Sequence, residues 1–296
     1  MWQLIVGAVM ISFSAVFVRL VSVPPSVSAF YRMAFGSLIL LAVILWRRER
    51  MQVNARGALF LILAAFFFTL DLVIWHRSIL YVGPGVATLL ANFQVFVLAA
   101  VGVTFFKEHL TWPQWLAIAI AMLGLILLVG SDWSGLPPQY HVGVVLGLIT
   151  AVCYAGYILT LRGVRMGGES GSPYAIITAV SVITAVMIAA VVAVEGDSFA
   201  IHSWSDGGWL FLYGLIPQVL GWVLISHSMN KVGAAQVGLV LLLQPTGAFI
   251  WDWLFFGRHF TWPELAGAIL ALVAIYMGTL KTLPFQKKAS ETSAKR

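Results

Sequence analysis

Polar and apolar positions alternate along this chain in long blocks. Ten apolar runs, at about 2–21, 26–46, 57–80, 84–106, 112–130, 142–162, 173–194, 208–229, 232–256 and 262–280, are separated by short polar stretches. Each is close to the ~20 residues that a helix needs to cross the hydrocarbon of a bilayer. Several open at or just after a proline: Pro25, Pro84, Pro113, Pro173 and Pro263. Proline is tolerated at a helix start, where its missing N–H would be unpaired anyway. The pattern predicts an all-α integral membrane protein of ten transmembrane helices. The polar stretch 283–296, with Lys287, Lys288, Ser290, Glu291, Lys295 and Arg296, reads as a disordered cytoplasmic tail.

Residues 82–114 recur as residues 232–264, displaced by 150 positions. Val82-Gly83 answers Val232-Gly233, and Gln94 answers Gln244. Phe105-Phe106 answers Phe255-Phe256, His109 answers His259, and Thr111-Trp112-Pro113 answers Thr261-Trp262-Pro263. The chain therefore divides into a first five-helix repeat (1–130), an outer linker (131–141) and a second five-helix repeat (142–282). Five is odd, so the second copy must be inverted in the membrane. Duplicated membrane chains of this kind are usually transporters whose halves meet at a substrate site.

Composition agrees with the hydropathy. Of 296 residues, 61% are hydrophobic and 9% charged, against roughly 45–50% and about 25% in soluble domains. A water-soluble fold could not hide so much apolar surface. The net charge of +6 does not imply nucleic acid, because the basic residues sit in short loops and the tail. With the N-terminus inside, the inner segments hold thirteen: Arg47, Arg48, Arg50, Arg56, Lys107, Arg162, Arg165, Lys231, Lys281, Lys287, Lys288, Lys295 and Arg296. The outer ends hold three, Arg19, Arg77 and Arg258, and Arg32 lies within a span. The bias places both termini in the cytoplasm. Equivalent loops also differ in sign. Four arginines follow span 2, whereas Glu195, Asp197 and Asp206 follow span 7 without a Lys or Arg. The start Met1-Trp2-Gln3-Leu4 has no basic segment before its apolar run, so it reads as a retained helix. Cys153 stands alone, which excludes an internal disulfide.

Polar side chains at membrane depth are costly and therefore the candidates for function. Gln94 and Gln244 share one repeat position near mid-bilayer, where they either bind a polar solute or cross-link helices. Pro217 and Pro245 fall at similar depth and predict helix kinks. Arg32 and Asp71 lie at matching depth, about 9 Å from the outer surface, and predict an ion pair with a gating, zwitterion-anchoring or purely structural role. Asp252 lies near the outer end of span 9, either interfacial or, like Asp71, a carrier of a coupling proton. His76 and His227 lie near helix ends at opposite faces, as interfacial residues or gates; they are too far apart to share a metal. Phe13 with Phe17, Tyr154 with Tyr157, and Gln218 with Trp222 recur at helical spacing. Buried Tyr and Trp want partners for their polar atoms, which favours Tyr154, Tyr157 and Trp222 as walls of a cavity. Gly143-x-x-x-Gly147 permits close helix approach. No phosphate loop, metal-ligand cluster, nucleophile–His–acid arrangement or Gly-x-Ser-x-Gly elbow occurs, so neither a cofactor nor a metal is expected.

The end of each half resembles the EamA-type domain of the drug/metabolite transporter superfamily. The residues are Tyr81-Val82-Gly83-Pro84-Gly85-Val86-Ala87, Phe105-Phe106-Lys107-Glu108-His109-Leu110-Thr111 and Gly124. In the second half they are Val232-Gly233-Ala234-Ala235, Gln244-Pro245 and Gly257-Arg258-His259-Phe260-Thr261. Arg32 matches the arginine usual in the second helix. Two positions depart: Val95 stands where proline is frequent, and Arg258 where the counterpart of Glu108 is usual. The resemblance, which extends to the YddG-type amino acid exporters among such members, implies an inner-membrane carrier of amino acids, often aromatic or otherwise amphiphilic. It implies a cavity lined by Phe13, Phe17, Trp75, Asn92, Gln94, Tyr154, Tyr157, Gln218, Trp222 and Gln244. The alternatives are a multidrug or other metabolite carrier, a channel, and a membrane-embedded lipid-modifying enzyme. The last would need clustered ionisable groups, and the sequence shows only scattered ones.

Overall fold

A computed structural model describes residues 2–48, 54–106, 112–129, 135–166, 173–229, 240–241 and 243–279. It is all helical among these residues. In chain order the helices are α1 (Trp2–Ser12), α2 (Ser14–Leu20), α3 (Pro25–Arg47), α4 (Ala55–Val82), α5 (Pro84–Ala91), α6 (Gln94–Phe106) and α7 (Trp112–Val129). There follow α8 (Pro138–Met166), α9 (Pro173–Glu195), α10 (Trp204–Tyr213), a π-helical turn α11 (Gly214–Gly221), α12 (Trp222–Met229), α13 (Leu243–Phe256) and α14 (Trp262–Thr279). Seven helical stretches are long and apolar enough to cross a membrane by length and composition, and Trp112–Leu128 and Trp262–Met277 are shorter apolar helices. The proposed tail and the Val232–Ala235 segment lie outside the described residues.

Polarity is inverted relative to a soluble protein. Arg32, Asp71, His76, Ser181 and Gln218 are buried, while Leu38, Ile126, Val186 and Ile269 are exposed. Lipid is the solvent that makes this stable: apolar side chains lose nothing facing it, whereas polar ones must find partners inside.

The long helices pack in matched combinations. α4 packs on α8 as α1 packs on α11 and α12; α5 packs on α8 as α13 packs on α1; and α4 packs on α9 as α3 packs on α11. The remaining large pairs, α3 with α9, α5 with α13 and α7 with α14, each join equivalent helices of the two halves. Small residues set the closest approaches. A methyl group on Gly267 would lie 2.6 Å from the Gly124 carbonyl oxygen and 2.5 Å from the Leu128 nitrogen. Gly143 and Gly147 play the packing part expected of them. A methyl group on Gly143 would lie 2.6 Å from Tyr81 Cβ, and Ser78 Oγ donates to the Gly143 carbonyl at 2.8 Å.

Three of the spans are irregular near their middles. α1 and α2 are separated at Phe13. α5 and α6 are separated at Asn92–Phe93, where Phe93 N–H bonds Leu90 O and Phe96 N–H bonds Phe93 O, a tightened turn. Pro217 sits inside the π-helical α11, so the expected kink takes the form of a widened turn around the missing N–H. Pro245 lies on α13 and is buried; the residues just before that helix are only partly described.

Candidate functional site

The irregular segments converge. A cavity of about 470 Å³ is lined by Ser12 and Ser14 beside the first break, Asn92 and Gln94 beside the second, and Gln218 and Trp222 around the π turn, with Gln244 of α13 joining them. Its size lies within the range of small-molecule sites. The face of α4 carrying Phe68, Asp71, Leu72 and Trp75 completes one wall, because spacings of three, four and seven residues align on a helix. Tyr154 and Tyr157 of α8 supply another. Three rings form a stack there: Phe68 on Tyr157 at 4.6 Å between centroids, and Tyr157 on Tyr154 at 5.7 Å.

Two of the ten residues expected to line the cavity lie elsewhere. Phe13 stacks on Trp251 at 4.4 Å and Phe17 on Tyr213 at 5.7 Å. Helical spacing puts Ile11, Ser14 and Ala15 on the cavity face and turns Phe13 and Phe17, four apart, onto another.

The charged groups are arranged differently from the simple pair expected. Arg32 makes no ion-pair contact with Asp71. Its Nε donates to Gln218 Oε1 at 3.1 Å and its Nη1 to the Tyr213 hydroxyl at 3.1 Å, with the guanidinium over the Tyr213 ring. The Gln218 amide nitrogen donates in turn to Ser181 Oγ at 3.2 Å. The Tyr213 hydroxyl reaches His76 Nε2 at 3.2 Å, and His76 Nδ1 reaches the Leu72 carbonyl at 2.6 Å. A carbonyl only accepts, so Nδ1 carries the proton; Nε2 then accepts from Tyr213, whose oxygen accepts from Arg32. This chain ties α4, α10, α3, α11 and α9 together. His76 is fully buried within the protein. His227 lies on α12, but its side chain is outside the described residues.

Asp252 is likewise buried within the protein. Its Oδ2 accepts from Gly85 N–H at 3.2 Å and lies 3.6 Å from Arg258 Nη1. It thereby satisfies an unpaired N–H of the first turn of α5, across the two halves. Arg258 also donates to the Val82 carbonyl and lies 3.5 Å from Glu264. Further ties cross between the halves at this same end. Asp206 accepts from Ser22 N–H at 3.1 Å and from Ser22 Oγ at 2.5 Å, Arg77 pairs with Glu195, and the Tyr31 hydroxyl donates to Phe199 O at 2.6 Å.

Comparison with known proteins places the chain in a family. The model of the EamA-like transporter family matches residues 1–130 and again 141–280. The chain belongs to the EamA-like transporter family. A curated relative, an "Uncharacterized transporter" of Haemophilus influenzae (strain ATCC 51907 / DSM 11121 / KW20 / Rd), is 26% identical over 132 residues. That stretch is 43% of this chain and 43% of the relative, so the chain aligns with less than half the length of the relative it matches. A solved structure titled "Crystal structure of protein" superposes with a TM-score of 0.65 at 15% identity, over 94% of this chain and 98% of the other, and shows the same fold. The family and the long apolar helices together make this a multi-pass membrane protein.

Sequence reading of this EamA-like chain missed Tyr213, Ser181, Ser14 and Phe68. Tyr213 and Ser181 carried a usable signal, a polar atom inside an apolar run, the same argument that singled out Tyr154. Phe68 carried none until Asp71, three residues on, proved to face the cavity.

Proposed function

We propose that this protein is an alternating-access carrier that exports amphiphilic amino acids, aromatic ones among them, or related small metabolites. In this reading ten helices form two inverted five-helix halves in the cell inner membrane, with both termini in the cytoplasm. The matched helix pairings of the two halves support the inversion. The observation that carries the function is the convergence of irregular helices from both halves on one apolar cavity with few polar groups. Broken helices free backbone groups and bring side chains to a solute in transporters of this architecture.

Gln94 and Gln244 would bond the polar part of the solute. Tyr154, Tyr157, Trp75 and Trp222 would hold its apolar part, and Asn92 and Gln218 would fill the polar margin. The Arg32–Tyr213–His76 chain would couple the cavity to the packing of the halves. The ties at Asp252, Arg258, Arg77 and Asp206 would open for release.

The test is counter-flow in proteoliposomes containing purified protein. Internal unlabelled L-phenylalanine, L-tryptophan or L-leucine should accelerate saturable uptake of the labelled solute, and Gln94→Ala should lower it at least about tenfold. Uptake indistinguishable from empty vesicles for every amino acid tried would refute the substrate class. Flux that does not saturate would favour a channel.

A further inference from the structure

We infer that Asp71 is an ammonium-binding site, and that the group by which this carrier recognises its cargo is a positively charged amine on an apolar body, with no carboxylate required. The inference rests on the carrier reading of the cavity and makes its substrate class narrower.

Asp71 is 7% exposed, it lines the cavity, and it accepts no hydrogen bond from the described residues. A carboxylate shielded from water needs hydrogen-bond donors or a counter-charge. The other buried carboxylates of this chain have found theirs: Asp252 takes the Gly85 N–H and Asp206 takes Ser22. Asp71 accepts from none of the described residues. Arg32, the counter-charge expected of it, makes no ion-pair contact with it and gives Nε and Nη1 to Gln218 and Tyr213.

Two amide oxygens of the cavity lining are also without a donor. Gln94 Oε1 is buried without a partner, and Asn92 spends its amide N–H on the Thr88 carbonyl, which leaves its oxygen free to accept. The cavity thus offers these acceptors beside Asp71, and an ammonium brings three donors and a positive charge at once. Around Asp71 stand the stacked rings of Phe68, Tyr157 and Tyr154, and Trp75 follows four residues on. Aromatic faces attract a cation that has left water. A carboxylate on the same cargo would have to share Arg32, whose Nε and Nη1 are already given to Gln218 and Tyr213.

The experiment uses the full chain, purified and reconstituted, with three ligands that share one ring: L-phenylalanine, 2-phenylethylamine and 3-phenylpropionate. The inference expects 2-phenylethylamine to inhibit labelled L-phenylalanine uptake within about threefold of L-phenylalanine itself. It expects 3-phenylpropionate to be at least tenfold weaker. Asp71→Asn should weaken 2-phenylethylamine at least tenfold, and Phe68→Leu about three- to tenfold. Quenching of tryptophan fluorescence by 2-phenylethylamine, measured on folded protein in detergent, reports the same order without transport.

Equal inhibition by the amine and the acid would overturn the inference, as would an Asp71→Asn protein that binds the amine like the parent. Should Asp71→Asn not fold, Phe68→Leu and the ligand series decide by themselves. L-Phenylalanine transport that ignores Asp71 sinks this inference and leaves the amino acid reading standing. Saturable uptake of labelled 2-phenylethylamine without L-phenylalanine uptake does the reverse.

Discussion

Tyr213→Phe removes a single oxygen from the centre of the described structure. Tyr213 is fully buried, and its hydroxyl bridges Arg32 Nη1 at 3.1 Å and His76 Nε2 at 3.2 Å. The ring's stack on Phe17 does not involve the hydroxyl, so the change isolates the bridge. A hydrogen bond to a charged donor contributes about 1.5–3 kcal/mol and a neutral one about 0.5–1.5 kcal/mol. Between membrane helices the measured average is lower, about 0.6 kcal/mol, because the unfolded chain in the bilayer also finds partners. Here the two groups left behind, a guanidinium N–H and an imidazole nitrogen, stay buried. The expected loss is therefore at the upper end, about 2–3 kcal/mol. Unfolding in mixed micelles by titration with SDS, followed by tryptophan fluorescence, gives the free energy. A double-mutant cycle with His76→Phe should return a coupling of at least about 1 kcal/mol. A loss under about 0.5 kcal/mol, with no coupling, would refute the bridging role of the hydroxyl.

Gly267→Leu should separate α7 from α14, since even its Cβ would lie 2.5 Å from the Leu128 nitrogen, a backbone atom that cannot retreat. A loss of at least about 2 kcal/mol is expected in the same titration. Gly83 has φ +85°, and a methyl group there would lie 2.5 Å from Arg258 Nη1; Gly83→Ala should cost about 1–2 kcal/mol from the backbone conformation alone. Asp252→Ala leaves the buried Gly85 N–H unpaired and should cost about 1–3 kcal/mol, with Asp252→Asn recovering most of it because an amide oxygen still accepts. Arg77→Ala breaks a pair whose side chains are 30% and 29% exposed, so its effect on stability should stay within about 1 kcal/mol. A large effect there would mean that such ties hold the halves together more strongly than solvent-screened charges can.

The apolar blocks by themselves determined that this chain lives in a membrane. Little else than a helix satisfies its own backbone in lipid, so about 20 apolar residues in a row fix the element. Equally legible were the duplication and the polar positions at depth, because a polar residue in an apolar run stands out without any knowledge of packing. Eight of the residues so chosen line one cavity. The partners of those groups were not legible. Arg32 and Asp71 lie at equal depth on consecutive helices, which invites a pair, but depth fixes only one coordinate. Rotation about the helix axes and the neighbouring α11 decide that Arg32 meets Gln218 and Tyr213 instead. The breaks at Phe13 and Asn92–Phe93 have no proline to announce them, and arise where the backbone bends in the packed bundle. Burial of His76 and Asp252 near helix ends was hidden for a similar reason. Position along a span gives height in the bilayer, whereas exposure depends on which helices stand alongside, and only the folded bundle supplies those.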